Sequence, residues 1–128
     1  MSIKLDMVGI VVKDMKRALD FYRTLGFKIS SEMDNQAHVE VNQGGVRLAF
    51  DTVEVATSVY GSWEEPTGHR IELAFTCEDA KSLNDLYERV MEQGYVSYKE
   101  PWDAFWGQRY AIIHDPDGNL ISLFSDNN

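Results

Sequence analysis

When the sequence is slid along itself until Asp79 falls on Asp14, "ELAFTCEDAKSLNDLYERV" comes to lie over "MVGIVVKDMKRALDFYRTL", and Tyr87 falls on Tyr22. An internal repeat constrains a fold more than any isolated motif, because the second copy must form whatever the first one forms. In the first copy, "IKLDMVGIVV" (residues 3–12) is rich in Val and Ile and reads as a strand. Asp14 suits a helix N-cap, and Met15, Leu19, Tyr22 and Leu25 recur at helical spacing before Gly26 stops the run. "FKISSE", "AHVEV" and "VRLAF" follow as three short strands, the last two joined by a Gly44-Gly45 turn. In the second copy, Asp79 caps a helix whose Leu83, Leu86, Tyr87 and Val90 form one stripe, and Gly94 ends it. "YVSY", "RYAIIH" and "LISLF" are then its strands.

The expected fold is therefore α+β: two repeated β-α-β-β-β modules forming a curved sheet with a cleft. The whole chain, 1–128, is expected to be a single domain, with module 1 at about 1–51, a linker at about 52–68 and module 2 at about 69–128. The linker, "TVEVATSVYGSWEEPTG", shows no clear periodicity. Side chains alternate faces along a strand. Val8, Ile10 and Val12 should face the helix of module 1, and Met7, Gly9 and Val11 the cleft. In module 2, Leu73 and Phe75 should face the helix, and Glu72, Ala74 and Thr76 the cleft.

The "DPDGN" stretch at 115–119 links two strands, and it is a turn before it is anything else. Pro116 presets φ, Gly118 tolerates the left-handed region, and Asp115 and Asp117 can accept bonds from nearby amides.

Charge excludes several partners. Acidic residues number 21 against 12 basic ones, a formal net charge of −9. A phosphate backbone or an anionic membrane surface needs a basic face, so neither nucleic acid nor membrane is an expected partner. A cationic or neutral small molecule is easier to accept. Cys77 is the only cysteine, which rules out an intrachain disulfide and a cysteine-held zinc. It matches Val12 in the repeat and reads as a buried, inert thiol. The N-terminal segment lacks a signal-peptide core, and no apolar run reaches bilayer length, so a cytoplasmic protein is expected. No nucleophile elbow, phosphate loop or dinucleotide fingerprint is present.

Two segments, "MVGIVVKDMKRALDFYRTLGFKI" and "WGQRYAIIHDPDGNLISLF", together give the chain a resemblance to the vicinal oxygen chelate superfamily. That superfamily covers glyoxalase I, the extradiol dioxygenases and the bleomycin-resistance proteins. The resemblance implies the duplicated fold, a homodimer and, in the enzymes, a divalent metal in the cleft. Its ligands, typically His or Glu and in some members Gln, occupy four positions: one on the first and one on the last strand of each module. Carried over, the first-strand positions are Met7 and Glu72. Aligning "GGVRLAF" with "GNLISLF" makes Leu48 and Ser122 the last-strand pair. A thioether, an isobutyl group and a neutral hydroxyl are poor company for one carboxylate. The expectation is a site without metal and a protein without a cofactor.

Glu72 would then need a partner inside an apolar cleft, either Arg109 or a cationic ligand. His38, His69 and His114 match no metal position of the superfamily and read as surface histidines. In "YKEPWDAFWGQRY", Trp102, Phe105 and Trp106 crowd what reads as a loop; exposed aromatics there imply a stacking ligand, a dimer contact or a folded-under core. The function expected is metal-independent binding of a cationic or aromatic small molecule, similar to the bleomycin-resistance proteins. Its contacts would be Met7, Leu48, Glu72, Trp102, Phe105, Trp106, Arg109 and Ser122, with no catalytic residue. A metal-dependent enzyme of the glyoxalase or dioxygenase type is the alternative, and an interaction module without a small ligand is the third reading.

Overall fold

In the computed structural model of the chain, which describes residues 2–127, the elements run β1 (Met7–Val12), α1 (Met15–Leu25), a 3-10 helix (Ser31–Asn35), β2 (His38–Gln43), β3 (Val46–Thr52), α2 (Val53–Tyr60), β4 (Glu72–Thr76), α3 (Ala80–Glu92), β5 (Ser97–Ala104), β6 (Gln108–His114) and β7 (Leu120–Asp126). They divide into two compact units. One holds the residues up to Arg23 with Phe27–Pro66, and the other holds Thr24–Gly26 with the chain from Thr67 onward. Among the described residues, no helix is long and apolar enough to cross a membrane.

The repeat shows in how each unit starts. Asp14 Oδ1 accepts from the Arg17 amide at 2.9 Å and Asp79 Oδ1 from the Ser82 amide at 2.7 Å, so both aspartates satisfy an otherwise orphaned N–H of the first helical turn. Gly26 and Gly94, with φ of 114° and 88°, take the left-handed conformation that ends each helix. Unit 1 then forms a three-stranded sheet in the order β1-β3-β2, with β1 parallel and β2 antiparallel to β3. Unit 2 forms a four-stranded sheet in the order β4-β7-β6-β5, with only β4–β7 parallel.

Each sheet buries one face under its helix. In unit 1, Ile10, Val12 and Phe50 share the buried face with Leu19, Phe21 and Tyr22 of α1, and the Phe50 and Tyr22 rings lie 4.9 Å apart. In unit 2, Ala111, Ile113, Ile121 and Leu123 are buried, as are Leu83 and Val90 of α3. The opposite faces stay open: Met7 and Gly9 in unit 1, and Glu72, Ala74 and Thr76 in unit 2, are exposed. The alternation expected for β1 and β4 is the one found.

Three expectations need correction. Residues 27–32 do not form a strand; residues 31–35 form the 3-10 helix. Arg23 explains it. Its guanidinium donates to the Ile29 and Ser30 carbonyls at 2.9 Å and pairs with Asp20 and Asp34, so a side chain takes the carbonyls a ladder would use. In the second copy that position is Glu88, which has no donor, and a strand forms. The linker is partly helical. Thr52 caps α2 through a bond from the Val55 amide, and Gly61 (φ 88°) ends it. Its Val and Thr residues are weak helix formers, which hides it from periodicity. Finally, the aromatic segment is mostly strand. β5 continues to Ala104, and only residues 105–107 turn. Pro101 is tolerated because β5 is an edge strand whose register slips around it.

Candidate binding site

The open face of the unit 2 sheet follows from register. Ala74 pairs with Ser122, Ser122 with Ile112, Phe124 with Tyr110, and Tyr110 with Trp102, so these side chains share one face. The Glu72 carboxylate belongs to the same face and accepts a hydrogen bond from the Tyr110 hydroxyl at 3.2 Å. Burial holds the Tyr110 phenol above its ordinary pKa; the nearby Ser122 hydroxyl pulls it back, and the Glu72 charge pushes it further up. Ser122 itself is fully buried, and its Oγ makes no hydrogen bond of regular geometry.

Around this pair lies a run of rings. Trp102 and Trp106 each meet Tyr110 edge-on at 5.4 Å, Trp102 meets Trp106 at 6.2 Å, and Tyr110 stacks on Phe124 at 6.3 Å. Trp106 Nε1 donates to Gln108 Oε1 at 2.8 Å, which fixes the indole on the hairpin. The Lys99 ammonium sits 3.8 Å from the centroid of the Trp102 ring, so this surface already accepts a cation from its own chain.

The structure brings together Glu72, Trp102, Trp106 and Ser122 from the residues expected at the site. It does not bring Arg109 there. Arg109 alternates with Tyr110 and lies on the helix side, where Nε donates to Asn84 Oδ1 at 3.2 Å and Nη1 to Asp103 Oδ1 at 3.3 Å. Glu72 is thus partnered by Tyr110 and not by Arg109. Phe105 stands at the hairpin tip, 97% exposed, with Trp106 as its ring neighbour at 5.1 Å. Tyr110 and Phe124 were missed, although counting by twos from Ser122 along β7 and across to β6 would have found them.

Unit 1 differs in chemistry. Met7, on its open face, pairs with Arg47, and Gly9 pairs with Ala49. Leu48 pairs with Val8 on the helix side and is buried, so the last-strand position corresponding to Ser122 is Ala49 and not Leu48. The glycine that matches Gly118 is Gly45, and matching Gly44 with it instead shifts the alignment by one residue. Such a slip moves every side chain to the other face.

Beside Ala49 runs a chain of alternating charges. Asp6 pairs with Arg47 at 2.7 Å, Arg47 with Glu40 at 2.8 Å, Glu40 with His38 Nε2 at 2.7 Å, and His38 Nδ1 with Asp51. Both ring nitrogens of His38 face carboxylates, an arrangement that satisfies the imidazolium. Glu40 and then Asp51 raise the His38 pKa above its ordinary 6.5, while His38 and then Arg47 lower that of Glu40 below 4.5. The stability contributed by His38 is complete below pH 6.5 and disappears as pH rises through its raised value. That of Glu40 is complete above pH 4.5 and disappears as pH falls through its lowered value. The denaturation midpoint of unit 1 should therefore peak in mildly acidic solution and decline on the alkaline side. In His38→Gln that alkaline decline should flatten; a decline of the same size in the variant would show that another group causes it.

Comparison with known proteins agrees with this architecture. The model of the Glyoxalase/Bleomycin resistance protein/Dioxygenase superfamily matches residues 4–123. The chain belongs to that superfamily. It is 28% identical over 128 aligned residues to YraH, an uncharacterized protein of Bacillus subtilis (strain 168), covering 95% of this chain and 98% of the other. It is 27% identical over 124 residues to a bleomycin resistance protein of Geobacillus stearothermophilus, covering 91% and 92%. The crystal structure of a superfamily enzyme from Burkholderia phytofirmans PsJN superposes with a TM-score of 0.83 at 18% identity, covering 97% of this chain and 99% of that one, which establishes the shared fold.

The donor set can now be tested against the metal that superfamily enzymes hold. In unit 1 the two positions are Met7 and Ala49, and neither offers an oxygen or a nitrogen. In unit 2 they are Glu72, which already accepts from Tyr110, and Ser122, whose hydroxyl is buried. These residues do not fit a divalent cation, for which protein sites supply several charged or imidazole ligands. Among the described residues, no group of three or more His, Cys, Asp or Glu side chains is placed to hold a metal ion. Burial, then the charge of Asp79, raises the Cys77 thiol pKa, opposite to what a nucleophile requires.

Proposed function

We propose that this protein binds a small planar or cationic molecule without a metal, on the open face of the unit 2 sheet. One observation carries the reading: Trp102, Trp106, Tyr110 and Phe124 form a continuous aromatic surface beside the Glu72 carboxylate. Rings supply stacking area at little conformational cost, and the carboxylate selects a positive guest. The ammonium of Lys99 over Trp102 is the internal precedent. The formal net charge of −9 favours the same guests at long range. The likeness to a bleomycin resistance protein supports sequestration as the mode of action, and the homodimer expected from the sequence belongs to this proposal.

The test has two arms. Elemental analysis of protein purified without a metal-affinity tag should find no stoichiometric metal, and zinc, nickel, manganese and iron should not stabilise it saturably. Tryptophan fluorescence titrated with bleomycin and with ethidium, a planar cation, should then show saturable quenching. Trp106→Ala should weaken that binding by about tenfold or more with an unchanged circular dichroism spectrum, as expected for losing one stacking partner. Stoichiometric metal, or a large saturable stabilisation by one, would put the glyoxalase- or dioxygenase-type enzyme in its place. Unchanged affinity in Trp106→Ala would remove that residue from the site.

A further inference from the structure

The side of unit 2 away from the aromatic face carries a groove of about 350 Å³ between α3 and β5, lined by Asn84, Tyr87, Glu88, Glu100, Pro101 and Arg109. Its shape has a local cause. Lys99 pairs with Ile112 and Trp102 with Tyr110, so Glu100 and Pro101 together oppose the single residue Ala111. That bulge displaces the edge strand beside the helix, and bulges commonly re-aim side chains next to sites.

The charges in the groove are under-used. Arg109 has a side chain only 23% exposed. Its two hydrogen bonds, to Asn84 and Asp103, are long at 3.2 and 3.3 Å, and Nη2 has no partner among the described residues. A guanidinium so placed is suited to a planar carboxylate. In the same groove, the exposed Glu88 and Glu100 carboxylates make no ion pair or hydrogen bond among the described residues. Tyr87, by contrast, is committed, since its hydroxyl donates to Ser97 Oγ at 2.6 Å. A simple anion would be repelled by Glu88, Glu100 and Asp103. A simple cation would leave the guanidinium with only its long contacts to Asp103 and Asn84 and would itself be repelled by it. Only a ligand carrying both signs a few bonds apart answers both sets of groups.

We propose that this groove binds the zwitterionic head of a free α-amino acid, its carboxylate on Arg109 and its ammonium between Glu88 and Glu100. The groove opens to solvent, so the amino acid's own side chain projects outward and selection acts on the head. The site lies on the opposite face of the sheet from the aromatic surface and does not depend on the function proposed for it.

The test uses the full chain and L-leucine, whose side chain is uncharged, with N-acetyl-L-leucine and L-leucine methyl ester as probes lacking one charge each. In ¹H–¹⁵N spectra, L-leucine should shift the signals of Asn84, Glu88, Glu100 and Arg109 saturably. Each capped probe should bind about tenfold more weakly or worse, as should L-leucine to Arg109→Gln and to Glu100→Gln. Arg109→Gln also removes the bonds to Asn84 and Asp103; if it does not fold, Glu88→Gln and the capped probes decide the matter. No shift at the groove up to the solubility limit of L-leucine would overturn the proposal. Equal binding of the ester, or of leucine to Glu88→Gln and Glu100→Gln, would do the same.

Discussion

Replacing Phe50 by Ala is expected to destabilise unit 1 by about 4 kcal/mol, enough to lower its denaturant midpoint sharply. Phe50 is fully buried on β3 between Ile10 of β1 and Val39 of β2, with its ring against Tyr22 of α1. Removing the ring leaves a cavity that two paired strands and a helix cannot close, and it also removes an aromatic contact. Phe105→Ala deletes the same atoms from a side chain 97% exposed and should change stability by no more than ~0.5 kcal/mol. Urea unfolding of the two variants, with equal m-values, checks the contrast. Comparable losses would mean that Phe105 is covered in solution.

The second large effect is expected at Asp115, where Ala should cost about 3 kcal/mol, a fall in melting temperature of roughly 10 °C for a chain of this size. Asp115 is buried at 5% exposure. Its Oδ1 accepts from the Asp117 and Asn119 amides at 2.9 Å each, and Oδ2 accepts from Asn119 Nδ2 at 2.8 Å. Without the carboxylate, two turn amides lose their acceptor in a place water reaches poorly. Asp115→Asn keeps an acceptor but gives up the charge, and should cost about half as much. If Asp115→Ala melts with the parent protein, the turn is held by Pro116 and Gly118 alone. This is the stretch read from the sequence as a turn rather than a catalytic motif, and its bonds are those of a turn.

The parts of the fold that the sequence disclosed are those fixed by neighbours in the chain. Asp14 with Gly26, and Asp79 with Gly94, bracket helices whose stripes have the right period; Gly44-Gly45 and Asp115–Asn119 mark hairpins. The parts that stayed hidden depend on partners far along the chain or on competing local bonds. Nothing about "FKISSE" reveals that Arg23 will take its carbonyls. Leu48 is misplaced because the two adjacent glycines, Gly44 and Gly45, both offer a match to Gly118, and one residue decides which face is buried. Charge alone offers Arg109 as one of two partners for Glu72, whereas its strand position sends it to Asn84 and gives Glu72 to Tyr110. Glu72 and Ser122 are placed by the repeat and by their strand positions, whereas Trp102 reads as part of a loop in the sequence and lies on β5. The ring system that completes the surface required the pairing of β6 with β5 and β7.

The bulged strand β5 also bears on what this protein avoids. An outer strand normally presents a row of free N–H and C=O groups on which a foreign strand can be templated, the usual start of aggregation. Along β5, Pro101 offers no N–H, the register slips on both sides of Lys99, and Lys99, Glu100 and Asp103 bring charges of both signs to the rim. An incoming strand would meet a missing donor, a changing repeat and exposed charge within a few residues. The irregularity that opens a groove toward α3 also makes this rim a poor seed for fibrils.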